Sequence, residues 1–197
     1  GMKEINAYQP ETNSICEGQV LSCPYDYEKT RLIVQEMTDS LVYQLMDKGL
    51  VTDGLTLDIG YDRENCDKGG YRGPVHIDRY GRTLPKPAHG SVRLESATNL
   101  GSQLQAATSA LFDRIANPKL TVRRLTLTAN RVVKDPGIFQ TDFFTDAARL
   151  EKEKSLQEAM LGLKKRFGKN AVLKGSNYLE GATMRDRNGR IGGHKAE

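Results

Sequence analysis

The chain has 197 residues, 38% hydrophobic and 27% charged, with a net charge of +4 and a pI near 8.9. This is globular composition, enough for one compact domain plus appendages, and it excludes a chain disordered throughout. No apolar run is long enough to span a bilayer and the start lacks a signal-peptide pattern, so a soluble, cytoplasmic protein without a membrane partner is expected.

Residues 13–21, "NSICEGQVL", read as a short strand, and the Pro and Asp of "SCPYDY" can open a helix. Val34, Met37, Leu41 and Leu45 then recur at three-to-four-residue spacing before Gly49, which predicts an amphipathic helix with a glycine stop. "GLTLDIGYD" alternates Leu55, Leu57 and Ile59 against Thr56, Asp58 and Gly60, the pattern of a half-buried strand. Residues 62–89 hold glycines, prolines and tyrosines without a period and read as a long loop or an irregular β-excursion. "GSVRLES" returns to alternation, with Val92 and Leu94 inward and Ser91, Arg93 and Glu95 outward. A second helix is expected from Ser102, where Ser-x-x-Gln has the capping-box spacing, through Leu104, Ala107, Leu111 and Ile115 to Asn117-Pro118. "LTVRRLTLTANRVVK" supplies the last strand.

This order, strand-helix-strand-strand-helix-strand, gives an α+β fold over residues 13–134: a β-α-β-β-α-β four-stranded antiparallel sheet with two helices on one face. Residues 135–146 read as a linker, and 147–168 as a third helix with Leu156, Met160, Leu163 and Phe167 on one stripe. Residues 169–197, glycine-rich and basic, are expected to form a flexible tail unless a partner orders them.

The open sheet face carries the candidate chemistry. Period two places Leu125 and Leu127 toward the helices with Arg123 on their side at the sheet rim, and turns Arg124, Thr126 and Thr128 outward beside Ser91 and Arg93. Hydroxyls around a few arginines suit phosphate oxygens, as donors and as charge. A face simply left to water, normal for antiparallel sheets, accounts for the same residues. The central strands lack the aromatics with which an RNA-recognition motif stacks bases, so backbone contact is favoured over base readout. Three cysteines, Cys16, Cys23 and Cys66, without Cys-x-x-Cys spacing, and three scattered histidines, His76, His89 and His194, predict no metal site.

The segments "AYQPETNSICEGQVL", "VRRLTLTANRVV" and "GKNAVLKGSNYLEGATMRDRNGRIGGHKA" resemble the C-terminal part of UmuC-type, Y-family translesion DNA polymerases. The resemblance covers nearly the whole chain. It implies a little-finger domain that lies on primer-template DNA by its open sheet face during damage bypass, with Arg123 and Arg124 similar to paired basic residues of the family's last strand. It also implies that the metal-binding palm, with its Mg2+, belongs to a part of the polymerase that this chain lacks, so this stretch is expected to be non-catalytic and to need no cofactor itself. Gln140-Thr141-Asp142-Phe143-Phe144 resembles the family's sliding-clamp-binding peptide, with Thr141 and Phe143 standing where leucines are usual; Gln140, Asp142, Phe143 and Phe144 become clamp-contacting candidates. The residues alone leave open a protein-interaction module using the sheet face or third helix, or phenylalanines that pack back on the domain.

Overall fold

The structure, a computed structural model, describes residues 13–68, 70–137, 147–191 and 194–195. Strand β1 (Ile15–Tyr25), helix α1 (Tyr27–Asp47) and strand β2 (Leu50–Tyr61) come first. A short helix α2 (Glu64–Asp67) and a hairpin of β3 (Val75–Ile77) and β4 (Thr83–Pro85) fill the excursion before β5 (Ala88–Thr98). Helix α3 (Gly101–Ile115), β6 (Val122–Asn130) and the two-residue β7 (Val133–Lys134) complete the sheet region. Helix α4 (Ala147–Phe167), a 3-10 turn (Gly175–Tyr178), helix α5 (Met184–Asn188) and the small strands β8 (Arg190–Ile191) and β9 (His194–Lys195) follow.

The sheet order is β1-β6-β2-β5, every neighbour antiparallel, with β7 added to β2. The expected α+β architecture is thus present, and α1 and α3 cover one face. Leu55, Leu57, Ile59, Leu125 and Leu127 are fully buried against Ile33, Met37, Leu41 and Leu45 of α1 and Leu104, Leu111 and Phe112 of α3. Asp26 caps α1 by accepting from the Lys29 amide at 2.9 Å, and Gly49 ends it at a φ of 61°, where a side chain would be strained. The single strand expected over 120–134 is two: Arg131, at a φ of 48°, breaks it, and β7 pairs with the other end of β2.

Three expectations fail for one reason, long-range polar contacts. Ser102 does not cap α3; its amide donates to Glu153 Oε1 at 2.7 Å and its hydroxyl to Glu153 Oε2, while the Gly101 amide donates to Gln157 Oε1 at 2.7 Å. Helix α4 therefore caps α3 from outside, satisfying amides that a helix N-terminus leaves orphaned. Its expected apolar stripe is turned the other way, with Gln157 buried and Leu156, Leu163 and Phe167 exposed, though Met160 accepts from the Tyr43 hydroxyl.

The segment expected to be a flexible tail is fastened instead to α1. Glu36, 1% exposed, accepts from Asn177 Nδ2 at 2.9 Å, the Thr183 amide at 2.8 Å and hydroxyl at 3.2 Å, and the Met184 amide at 3.0 Å. Lys174 pairs with Asp39, Arg187 with Glu17, and Gln19 donates to the Thr183 hydroxyl. A carboxylate buried in a helix needs donors, and this segment supplies them. Replacing Glu36 with Ala strands two backbone amides and should destabilise the fold by about 3 kcal/mol. Thermal unfolding checks the loss, and limited trypsin digestion should show faster cleavage at Lys174, Arg185 and Arg187.

Candidate nucleic-acid interface

Cross-strand partners share a face, so the pairing register lays out the open side of the sheet in rows. One row is Cys16, Thr128, Thr56 and Ser91; the next is Gly18, Thr126, Asp58 and His89; the next is Val20, Arg124 and Gly60. At the other end Asn130, Gly54 and Arg93 line up. Thr126, Thr128, Ser91, Arg93 and Arg124 thus stand together on the face away from the helices. Arg123 does not sit on the leucines' side at the rim as alternation implied. Gly60 pairs with Arg124 and Tyr61 with Val122, which leaves Arg123 as the extra residue of a bulge. Val122 consequently turns into the core, and Arg123 and Arg124 line the same cleft.

The polar groups of the face divide into two sets. On the β2–β5 side they are tied to one another: Thr56 Oγ1 and Ser91 Oγ lie 2.9 Å apart, Asn130 Nδ2 donates to Thr56 Oγ1 at 2.7 Å, and His89 Nδ1 lies 2.6 Å from Asp58 Oδ1. Arg93 reaches Asp53 at 3.5 Å, and Arg131 donates to the same carboxylate at 2.7 Å. On β6 the side chains of Arg124, Thr126 and Thr128 make no hydrogen bond or ion pair with any described residue.

Next to Arg124, where the sheet meets the β3–β4 hairpin, lies a cleft of about 740 Å³. Val20, Pro24, Leu84 and Pro87 form apolar walls; Arg63, Lys68, Arg82, Arg123 and Arg124 face Asp62, Glu64, Asp67 and Asp78. Most of these charges are matched: Arg82 pairs with Asp78, Arg63 with Asp67 and Arg123 with Asp62, the last two at 3.9 Å. His76 Nδ1 is buried in the wall with no hydrogen-bond partner among the described residues.

Gln140, Asp142, Phe143 and Phe144 lie outside the described residues. Sequence reasoning missed Arg131, which lies over Gly54, and the Asp58–His89 pair. The alternation of β2 did show Asp58 outward, but only the register with β5 brings His89 beside it. Among the described residues no three His, Cys, Asp or Glu gather as metal ligands would, and no helix is long and apolar enough to cross a membrane.

No family model matches the chain. It is 25% identical over 196 residues to DNA polymerase IV 2 of Bacillus subtilis, an alignment covering 95% of this chain and 42% of that protein. It is 23% identical over 180 residues to DNA polymerase IV 2 of Halalkalibacterium halodurans, covering 90% of this chain and 38% of that one. The chain thus spans about two fifths of the length of these curated relatives. The two likenesses support a relationship to the Y-family DNA polymerases and do not single out the little finger.

The hairpin beside the interface has an acid-sensitive clasp. Asp78 accepts from the Arg82 side chain at 2.7 Å and from the Tyr80 and Arg82 amides, and the Arg82 guanidinium above all holds its carboxyl at about 2, against an ordinary 3.8. The group is lowered on folding, so its stabilisation is complete above the unfolded value and is lost as pH falls toward about 2. Amide exchange at Tyr80 and Arg82, corrected for intrinsic rates, should be flat from neutral pH to about 4 and rise below it, and Asp78→Asn should remove that transition.

Proposed function

We propose that this chain is the DNA-gripping, little-finger part of a Y-family translesion polymerase, acting in damage bypass, and that it holds primer-template duplex through sequence-independent backbone contacts. The observation that carries the reading is an Arg124 without an ion pair to any described residue, beside Thr126 and Thr128 hydroxyls that bond to none of them, on a face turned away from the core. Such a set offers charge and donors to phosphate oxygens without base-edge discrimination. The relatives' names, both DNA polymerase IV 2, agree with it. Nucleotide transfer, with its metal ions, falls in this reading to the rest of the polymerase, which is therefore a partner of this part.

Phosphate contacts release counterions, so affinity must fall steeply with salt. For about three phosphate contacts, raising monovalent salt from about 50 to about 200 mM should weaken duplex binding on the order of 40-fold. Arg124→Ala should reduce the slope of log affinity against log salt by about one. A mobility-shift titration at several salt concentrations reads both; affinity indifferent to salt, or unaltered in Arg93→Ala with Arg124→Ala, overturns the reading.

The same proposal includes a tether to the bacterial sliding clamp through Gln140, Asp142, Phe143 and Phe144. Two phenylalanine rings entering a pocket are worth roughly 3–6 kcal/mol before ordering costs, which fits a micromolar-range anchor that raises local concentration at the primer end. Phe143→Ala with Phe144→Ala should abolish capture by purified clamp while leaving duplex affinity intact. Unchanged capture assigns the rings to this protein's own packing.

A second reading has an observation of its own. Leu156, Leu163 and Phe167, spaced along one side of α4, are exposed, as an interaction helix would require. It predicts a protein partner lost on Leu163→Asp with Phe167→Asp, with duplex binding untouched.

A further inference from the structure

We propose that the phosphate backbone of bound DNA crosses the sheet in a trough over Gly18, along the β1–β6 half of the open face, and not over β5. This rests on the duplex-binding reading above and assigns it a place.

Two features separate the halves. The β2–β5 half presents Asp58, and its hydroxyls, its histidine and its two arginines are already engaged: Thr56 with Ser91 and Asn130, His89 with Asp58, Arg93 and Arg131 with Asp53. A phosphate there meets carboxylates and must break existing bonds. The β1–β6 half presents Cys16, Gly18 and Val20 from β1 and Arg124, Thr126 and Thr128 from β6, none of them a carboxylate; Asp58, the next residue of the Gly18–Thr126 row, stands beyond Thr126 on β2 and is held beside His89. The Glu17 carboxylate lies behind the strand, where Ser40, Gln44 and Arg187 donate to it. Among the described residues, the donors of β6 on this face, Arg124, Thr126 and Thr128, are the ones without a partner.

Glycine placement marks the floor. Three glycines lie in the rows of the open face. At Gly54 a Cβ would come within 2.6 Å of Nη2 of the Arg131 side chain lying over it, and at Gly60 within 3.2 Å of Cβ of the cross-strand Arg124, so both positions are crowded from within the fold. At Gly18 a Cβ would meet nothing within 4 Å among the described residues. Gly18 also has no positive φ to require it, and glycine in a strand interior weakens the strand. The space above it is bounded by Cys16 and by Val20, 69% exposed, along β1, and by Thr126 directly across on β6. An absent side chain with no internal reason, opposite unbonded donors, fits a backbone that approaches from outside.

The test uses Gly18→Val in the full chain, with a primer-template duplex as probe. A β-branched residue suits a strand and has room here, so the melting temperature should stay level or rise. Duplex affinity at low salt should fall at least tenfold, with Gly18→Ala intermediate. Val binding as tightly as the parent overturns the trough, while salt-dependent binding by the parent keeps the duplex reading standing. If the parent itself binds no duplex in a salt-dependent way, both fail. Should the Val variant not fold, the Ala variant decides: parental affinity overturns the trough, and a clear loss at unchanged melting temperature supports it.

Discussion

The register between β6 and β2 fixes the side to which the rest of the sheet points. Leu57 faces Leu127, Ile59 faces Leu125 and Leu55 faces Ala129, all fully buried under α1 and α3. Because a strand's period is two, burying these residues obliges Arg124, Thr126 and Thr128 to stand on the opposite face. A slip by one residue would expose two leucines of β6, each worth roughly 1.5–3 kcal/mol of burial, and drive an arginine inward. The candidate interface is thus as firmly placed as the core, although none of its side chains belongs to the core.

That coupling explains what could be read from the sequence. The alternation in "LTLTA" and "LTLDI" shows both faces at once, and the spacing of Met37, Leu41 and Leu45 shows the stripe of α1 that covers one of them. The bulge was illegible: consecutive arginines carry no turn signal, and only pairing with Gly60 and Tyr61 shows that one residue is extra. The caps were illegible for a different reason. Ser102 has a nearby candidate partner at the right spacing, yet Glu153 reaches it from 51 residues downstream. Glu36 looks like any surface glutamate of a helix until a segment more than 140 residues later covers it. Local patterns report local bonds, and these are not local.

Charge follows the same rule. Residues 164–197 hold nine basic and three acidic side chains, a balance of +6 that leaves −2 for the rest of a chain whose total is +4. The sheet region, residues 13–134, holds sixteen basic and fourteen acidic side chains, a balance of only +2, so the attraction for phosphate proposed for it depends on where Arg124 stands. Three of the nine basic side chains are paired with the sheet domain: Lys165 of α4 with Asp47, Lys174 with Asp39 and Arg187 with Glu17. A basic tail reads as a nucleic-acid arm by composition, but here Lys174 and Arg187 serve as counter-charges to carboxylates of α1 and β1.

The tail and the trough meet in β1. Successive residues of this edge strand point to opposite sides: Cys16, Gly18 and Val20 toward the open face, Glu17 and Gln19 toward the C-terminal segment. Glu17 is held by Ser40, Gln44 and Arg187, and Gln19 by Thr183. An edge strand with a central glycine is ordinarily a weak element, free to twist on its unpaired side. Here both neighbours of Gly18 are anchored from behind by side-chain bonds that β6 does not supply. The segment that covers Glu36 therefore stiffens the stretch of sheet on which the trough is proposed, and a site held in place before binding loses less ordering entropy on contact.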